Sequence, residues 1–232
     1  MTVLQENYNC VLKNIEEACK KSGRDPKDVT LIAVSKTKPL EMLRDVYEGG
    51  ARHFGENKVQ EMCEKMEQMP EDVNWHMIGH LQTNKVKYIV GKCALIHSVD
   101  SLHLAKEIEK QAAKQNCEVP ILVEINIANE ETKFGIDRTE AMNLVKEIAK
   151  LPHVKIQGLM TIAPYVEDPE QNRQYFHQIW QLSVDIKNQN IDNVTMDILS
   201  MGMTGDYMVA VEEGATLVRV GTGIFGERNY NI

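Results

Sequence analysis

Between residues 30 and 220 the chain alternates a short apolar run with a longer amphipathic one, and does so eight times; this narrows the fold more than any other feature. The apolar runs are 30–34, 51–54, 75–78, 94–97, 120–127, 154–160, 194–199 and 216–220. Between them lie helical patterns from Pro39 to Gly49, from Asn57, and over 83–90, 102–115, 137–150, 169–188 and 206–213, with a short closing turn after the last run. Apolar strands separated by helices form a parallel sheet covered on both faces, and eight such units in 232 residues predict a closed (β/α)8 TIM barrel. Ahead of the first unit, Leu4, Tyr8, Val11, Ile15 and Ala18 recur at helical spacing and stop at Ser22 and Gly23, so an extra N-terminal helix is expected. An open doubly wound sheet is the alternative, weakened because no strand is followed by GxGxxG. No linker or low-complexity stretch interrupts the pattern, and one domain over 1–232 is expected.

Charge removes several functions. Asp and Glu number 34 against 26 for Lys and Arg, a net charge of -8, so the basic stripe of a nucleic-acid binder is missing. No apolar run reaches the length of a membrane span, and the opening MTVLQENYNC lacks the regions of a secretory signal. The five cysteines, Cys10, Cys19, Cys63, Cys93 and Cys117, are scattered, with no CxxC or Cys/His cluster. They suggest neither a disulfide framework nor a metal site, and a cytoplasmic protein is expected.

In a TIM barrel the chemistry sits at the C-terminal ends of the strands. Here those ends carry Ser35 and Lys36; Gly55, Glu56 and Asn57; Gly79 and His80; Ser98 and Asp100; Asn126; Met160 and Thr161; Ser200, Met201 and Gly202; and Arg219, Gly221 and Thr222. Lys36 follows a buried run and projects from a rigid strand end, the setting of a Schiff-base lysine, although Lys36 and Lys38 also suit a solvated loop. The small-residue loops 200–206 and 221–223 follow strands seven and eight, where barrels bind phosphate, and they equally suit tight turns. Arg219 either binds an anion or ring nitrogen, or forms a salt bridge. His80 is placed at the mouth without a catalytic role, and Met160 as a wall beneath a flat ligand. An imine-forming lysine opposite a phosphate cradle fits pyridoxal phosphate or a sugar phosphate in an aldolase.

The segments AVSKTKP (33–39), FGENKVQE (54–61), WHMIGHLQTNK (75–85), GLMTIAP (158–164), LSMGMTGDY (199–207) and VRVGTGIFGERN (218–229) together resemble the pyridoxal phosphate homeostasis proteins, a family similar to the barrel domain of alanine racemase. The resemblance runs nearly end to end. It implies the fold type III of pyridoxal-phosphate proteins, with the cofactor carried on Lys36 as a Schiff base. Asn57 and Met160 would line its ring, Ser200, Met201, Gly221 and Thr222 would hold its phosphate, and Arg219 would face the pyridine nitrogen. Lys38 and Lys133 would handle or release the cofactor. At His80, a ring-edge position, the chain departs from the family's pattern.

An arginine at the pyridine nitrogen leaves that nitrogen unprotonated and the ring a poor electron sink. The resembling racemases also take an acid/base group from a second domain of a partner chain, and the barrel pattern here consumes the sequence. Binding, storage and delivery of the cofactor to apo enzymes is therefore expected, by a monomer or weak dimer with no residue assigned to catalysis. A racemase-type enzyme is the alternative.

Overall fold

The structure, a computed structural model, describes residues 1–227. Eight parallel strands close into a barrel in chain order: β1 (Thr30–Val34), β2 (His53–Glu56), β3 (Asn74–Met77), β4 (Leu95–Val99), β5 (Val119–Ile125), β6 (Val154–Thr161), β7 (Val194–Met203) and β8 (Leu217–Val220). β8 returns to β1 with Thr30 opposite Leu217 and Ala33 opposite Val220. Around the strands lie α2 (Leu40–Glu48), α3 (Val59–Met66), α4 (Leu102–Gln115), α5 (Arg138–Ile148), α6 (Arg173–Lys187), α7 (Tyr207–Glu212) and the four-residue α8 (Thr222–Phe225). Arg228 and Asn229, which end the last of the resembling segments, lie outside the described residues.

The additional helix α1 (Val3–Ser22) is capped at both ends by its own sequence. The Thr2 hydroxyl and Gln5 side chain form a reciprocal capping box, and Gly23 closes the helix in a left-handed conformation at φ 71°. Its buried stripe, Tyr8, Val11, Ile15, Ala18 and Cys19, packs toward the last barrel unit. Asn7 donates to the Ile224 carbonyl at 3.1 Å, Asn14 to the Tyr207 hydroxyl at 2.8 Å, and Arg24 to the carbonyls of Val211 and Ala215.

Three elements depart from the expected pattern for local reasons. The second strand begins at His53 rather than residue 51, because Gly50 at φ 105° and the Ala51 amide, bonded to the Val46 carbonyl, still finish the turn after α2. The segment after β3 forms only a 3-10 helix (Thr83–Tyr88), with Val86 its one buried side chain and too little apolar face to hold more turns. β7 runs on to Met203, with a left-handed residue at Met196 and register shifts on both sides. Opposite it stands Gly158 of β6, where an added Cβ would lie 1.7 Å from the Ile198 carbonyl oxygen.

Strand alternation sorts the side chains. Trp75, Met77, Ile96, Val123, Leu159, Met201, Val218 and Val220 face the helices and join the large outer core. Ile32, Leu95, Leu122, Met160 and Leu217 form a smaller cluster inside the barrel. Two residues further along β4, β5 and β8, the same inward face carries His97, Glu124 and Arg219, all buried. The interior is thus apolar in one layer and polar in the next, toward the C-terminal ends of the strands.

Candidate functional site

A cavity of about 580 Å³ opens at the C-terminal ends of the strands. Its wall includes Lys36, Lys38, Asn57, Lys133, Arg219, Gly221 and Thr222, so seven of the eleven residues singled out from sequence come together there. Val34, Ile78 and Ile162 add apolar surface, and Met203, Thr204, Gly205 and Asp206 supply the side formed by β7.

Lys36 is half-buried, at the start of a tight turn whose next residue, Thr37, is left-handed at φ 62°. The turn is pinned on both sides of the lysine. Lys65 of α3 donates to the Ser35 carbonyl at 2.8 Å, and the Thr37 amide donates to Glu61 at 2.6 Å. Lys65 also bonds Glu56 and Glu61, each at 2.7 Å, while the Ser35 hydroxyl donates to Glu56 at 2.6 Å. Burial pushes the Glu56 carboxyl up, and Lys65 and Ser35 pull it back. Glu56 stood in the ring of strand ends, but Lys65 and Glu61 carried only the weak signal of an i,i+4 pair in the helical pattern.

Lys38 donates to the carbonyls of Phe225, Gly226 and Glu227 at 3.1, 3.0 and 2.9 Å, closing the C-terminal end of α8. Lys133 pairs with Glu130 and donates at 3.1 Å to the Ala163 carbonyl, joining the loops after β5 and β6. Asn57 approaches β3 closely enough that a Cβ on Gly79 would lie 2.6 Å from its Cα. The loop after β7 is held by Asp206, which accepts from the Met203 amide at 2.7 Å and from Asn172 at 2.8 Å. The Thr204 hydroxyl accepts from the Gly223 amide at 3.4 Å, so the loops after β7 and β8 meet.

Arg219 is only 4% exposed, and burial lowers its guanidinium to about 10 against the attraction of Glu124 and Asp206. It stays a cation at neutral pH. It donates to the Ser200 hydroxyl at 2.5 Å and to the Thr161 carbonyl at 2.8 Å.

Four of the expected residues do not line this cavity. The Met201 side chain faces outward into the helix-covered core, because it alternates with the inward-facing Ser200. Ser200 is fully buried below the cavity lining, its hydroxyl engaged by Arg219 and by His97 at 2.9 Å. Met160 packs in the inner apolar cluster rather than on the cavity wall. His80 lines a separate pocket of about 420 Å³ with Asp100 and His103, its ring stacked 4.0 Å from that of Phe134. Thr204, to which the sequence reading gave no role within the loop, lines the cavity on the side formed by β7.

The alanine racemase N-terminal domain family matches residues 7–229. A pyridoxal phosphate homeostasis protein of Aquifex aeolicus is 46% identical over 97% of this chain and 98% of its own. The chain belongs to the family of pyridoxal phosphate homeostasis proteins. Another relative from this family, in Haemophilus influenzae, is 37% identical over 98% of this chain and 97% of its own. Among solved structures, PipY of Synechococcus elongatus with pyridoxal phosphate bound superposes at a TM-score of 0.79, with 34% identity over 92% of this chain and all of PipY. Alanine racemase of Clostridium difficile 630 shares the fold at a TM-score of 0.75 and 15% identity, and this chain spans 57% of its length. No helix among the described residues is long and apolar enough to cross a membrane.

Proposed function

We propose that the chain binds pyridoxal 5'-phosphate at Lys36 and holds it for storage and delivery to apo enzymes. The observation that carries this reading is the convergence of Lys36 and Arg219 on one cavity whose β7 and β8 loops present Thr204, Gly221 and Thr222. Its volume of about 580 Å³ lies within the range of small-molecule sites, roughly 300–1,000 Å³. An amine for a carbonyl, a guanidinium for a ring nitrogen, and hydroxyls with glycine backbone for a phosphate match the cofactor's three polar ends. The named function of the curated relatives and the ligand in PipY support the same reading.

Pyridoxal phosphate supplies an aldehyde that condenses reversibly with an amine, which suits retention and release. Lys36 would hold it from the strand end, Asn57 would flank it, and Thr204, Gly221 and Thr222 would take the phosphate. Arg219, a donor that burial does not neutralise, would deny the ring nitrogen a proton and leave a weak electron sink. In the same wall, Lys38 bonds three carbonyls, Lys133 bonds Glu130 and Ala163, and Asp206 bonds Asn172 and Met203. Five cysteines that are all free thiols favour a reducing, cytoplasmic setting for this work.

The test has two arms. Loaded protein mixed with an apo enzyme should activate it, and alanine in heavy water should show no exchange of its alpha proton at turnover rates. Alpha exchange that disappears in Lys36→Ala would replace the carrier with a racemase-type enzyme. No uptake of pyridoxal phosphate would end both.

A further inference from the structure

Below the cavity, three imidazoles are hydrogen-bonded in series across the barrel interior. His53 Nδ1 lies 2.9 Å from His76 Nε2, His76 Nδ1 lies 2.9 Å from His97 Nε2, and His97 Nδ1 lies 2.9 Å from Ser200 Oγ. Ser200 Oγ in turn stands 2.5 Å from Arg219 Nη1. Consecutive strands β2, β3 and β4 each give one histidine, and β7 and β8 give the serine and arginine. His97 and His76 are buried, whereas His53 is half-buried at the first residue of β2, toward the opposite end of the barrel from the cavity.

Donor arithmetic favours one direction for this chain. A guanidinium only donates, so Ser200 Oγ accepts from Arg219 and has its own proton to give to His97 Nδ1. His97 then carries its proton on Nε2 and donates to His76 Nδ1; His76 does the same toward His53 Nδ1. The reverse order would set an N–H of His97 and an N–H of Arg219 on one hydroxyl oxygen and leave the serine proton without this acceptor. Burial favours the neutral form throughout: His76 is lowered to about 3, and His97 is held well below its usual value by burial and by His76 and Arg219.

We propose that His97, His76 and His53 are positioning residues for Arg219, a one-directional series of neutral imidazoles that locks the guanidinium through Ser200 and reserves its remaining N–H groups for the ligand. The second anchor, Arg219 Nη2 on the Thr161 carbonyl at 2.8 Å, completes a fork held from below at both tips. The word ligand here rests on the pyridoxal-phosphate reading; the lock on Arg219 does not.

The test therefore starts with ligand-free protein. Histidine 15N spectra at pH 5 should show His97 and His76 neutral and protonated on Nε2, and Arg219 should give separate Nη1 and Nη2 signals because rotation about Cζ–Nε is slow. In His97→Leu the two Arg219 signals should coalesce. His97→Gln, with an acceptor and a donor at matching separation, should keep them apart. An Nδ1-protonated or imidazolium form at His97 or His76, or an Arg219 spectrum unchanged in His97→Leu, overturns the proposal. If His97→Leu does not fold, His53→Leu at the half-buried end decides, since it must shift the His76 Nε2 signal; an unshifted signal is a refutation. In loaded protein the absorption maximum of bound pyridoxal phosphate should move in His97→Leu and return in His97→Gln. A wild-type protein that takes up no cofactor sinks the functional reading alone, because the ligand-free measurements still decide on the lock.

Discussion

Lys65 donates to the Ser35 carbonyl from 2.8 Å, immediately before the cavity lysine Lys36. This contact sets the direction in which Lys36 leaves β1, because the following amide, Thr37, is held by Glu61, a partner of the same Lys65. The ammonium side chain of Lys65 is 9% exposed and Glu56 is fully buried, so the pair is shielded from solvent.

Lys65→Met should therefore destabilise the fold by about 3–5 kcal/mol, since it strands a buried carboxylate. Adding Glu56→Gln should restore part of that loss. Urea unfolding of the two variants checks both; equal midpoints for Lys65→Met and wild type would show that the pair is not coupled.

Borohydride treatment of the loaded protein should fix the cofactor on Lys36, found by peptide mass mapping. Lys36→Ala should retain no label, while Lys38→Ala should still be labelled and lose stability through the end of α8.

Thr204→Ala and Thr222→Ala should each weaken retention of pyridoxal phosphate by about 1.5–3 kcal/mol while leaving pyridoxal nearly unaffected. Ser200→Ala should weaken both ligands alike, as its hydroxyl serves Arg219 and His97. Equilibrium dialysis with the two ligands separates these outcomes, and a phosphate-selective loss in Ser200→Ala would place Ser200 in the cavity after all.

Stability should depend on pH through groups inside the barrel. His76, lowered to about 3, binds fewer protons folded than unfolded, so its contribution is full above about pH 6.5 and fades toward pH 3, by up to about 5 kcal/mol. His97 acts in the same sense. Glu124, raised to about 7 by burial and by Asp100, acts oppositely: stability falls as pH climbs from about 4.5 to 7. Melting curves at several pH values should show His76→Gln flattening the acid loss and Glu124→Gln gaining most near pH 7. Parallel profiles for all three proteins would remove both assignments.

Gly158→Ala should cost more than about 4 kcal/mol or prevent folding, because the new methyl would meet the Ile198 carbonyl of the next strand. A melting temperature within a few degrees of wild type would show that β6 and β7 can part.

The strand count, barrel closure and N-terminal helix were legible because apolar runs and helical spacing repeat over the whole chain. Lys36, Asn57, Arg219, Gly221 and Thr222 were legible because a barrel gathers its strand ends. The inward or outward turn of Ser200 and Met201 was not, since a shift of one residue along β7 exchanges the two faces. The Lys65 clamp was hidden by distance in sequence: Lys65 lies 30 positions from the carbonyl it holds. The histidine series was hidden for the same reason, its members being 23 and 21 residues apart on strands whose pairing alone aligns them.

The reach of α1 across to α7 and α8 bears on how the protein is made. The partners of Asn7, Asn14 and Arg24 lie between 187 and 217 residues downstream. As the chain leaves the ribosome, part of the apolar stripe of its first helix has nowhere to pack until the final unit has been synthesised, and β1 likewise waits for β8. The nascent polypeptide must carry that exposed surface until α7, β8 and α8 have emerged, so the ring closes late, in a step open to chaperones.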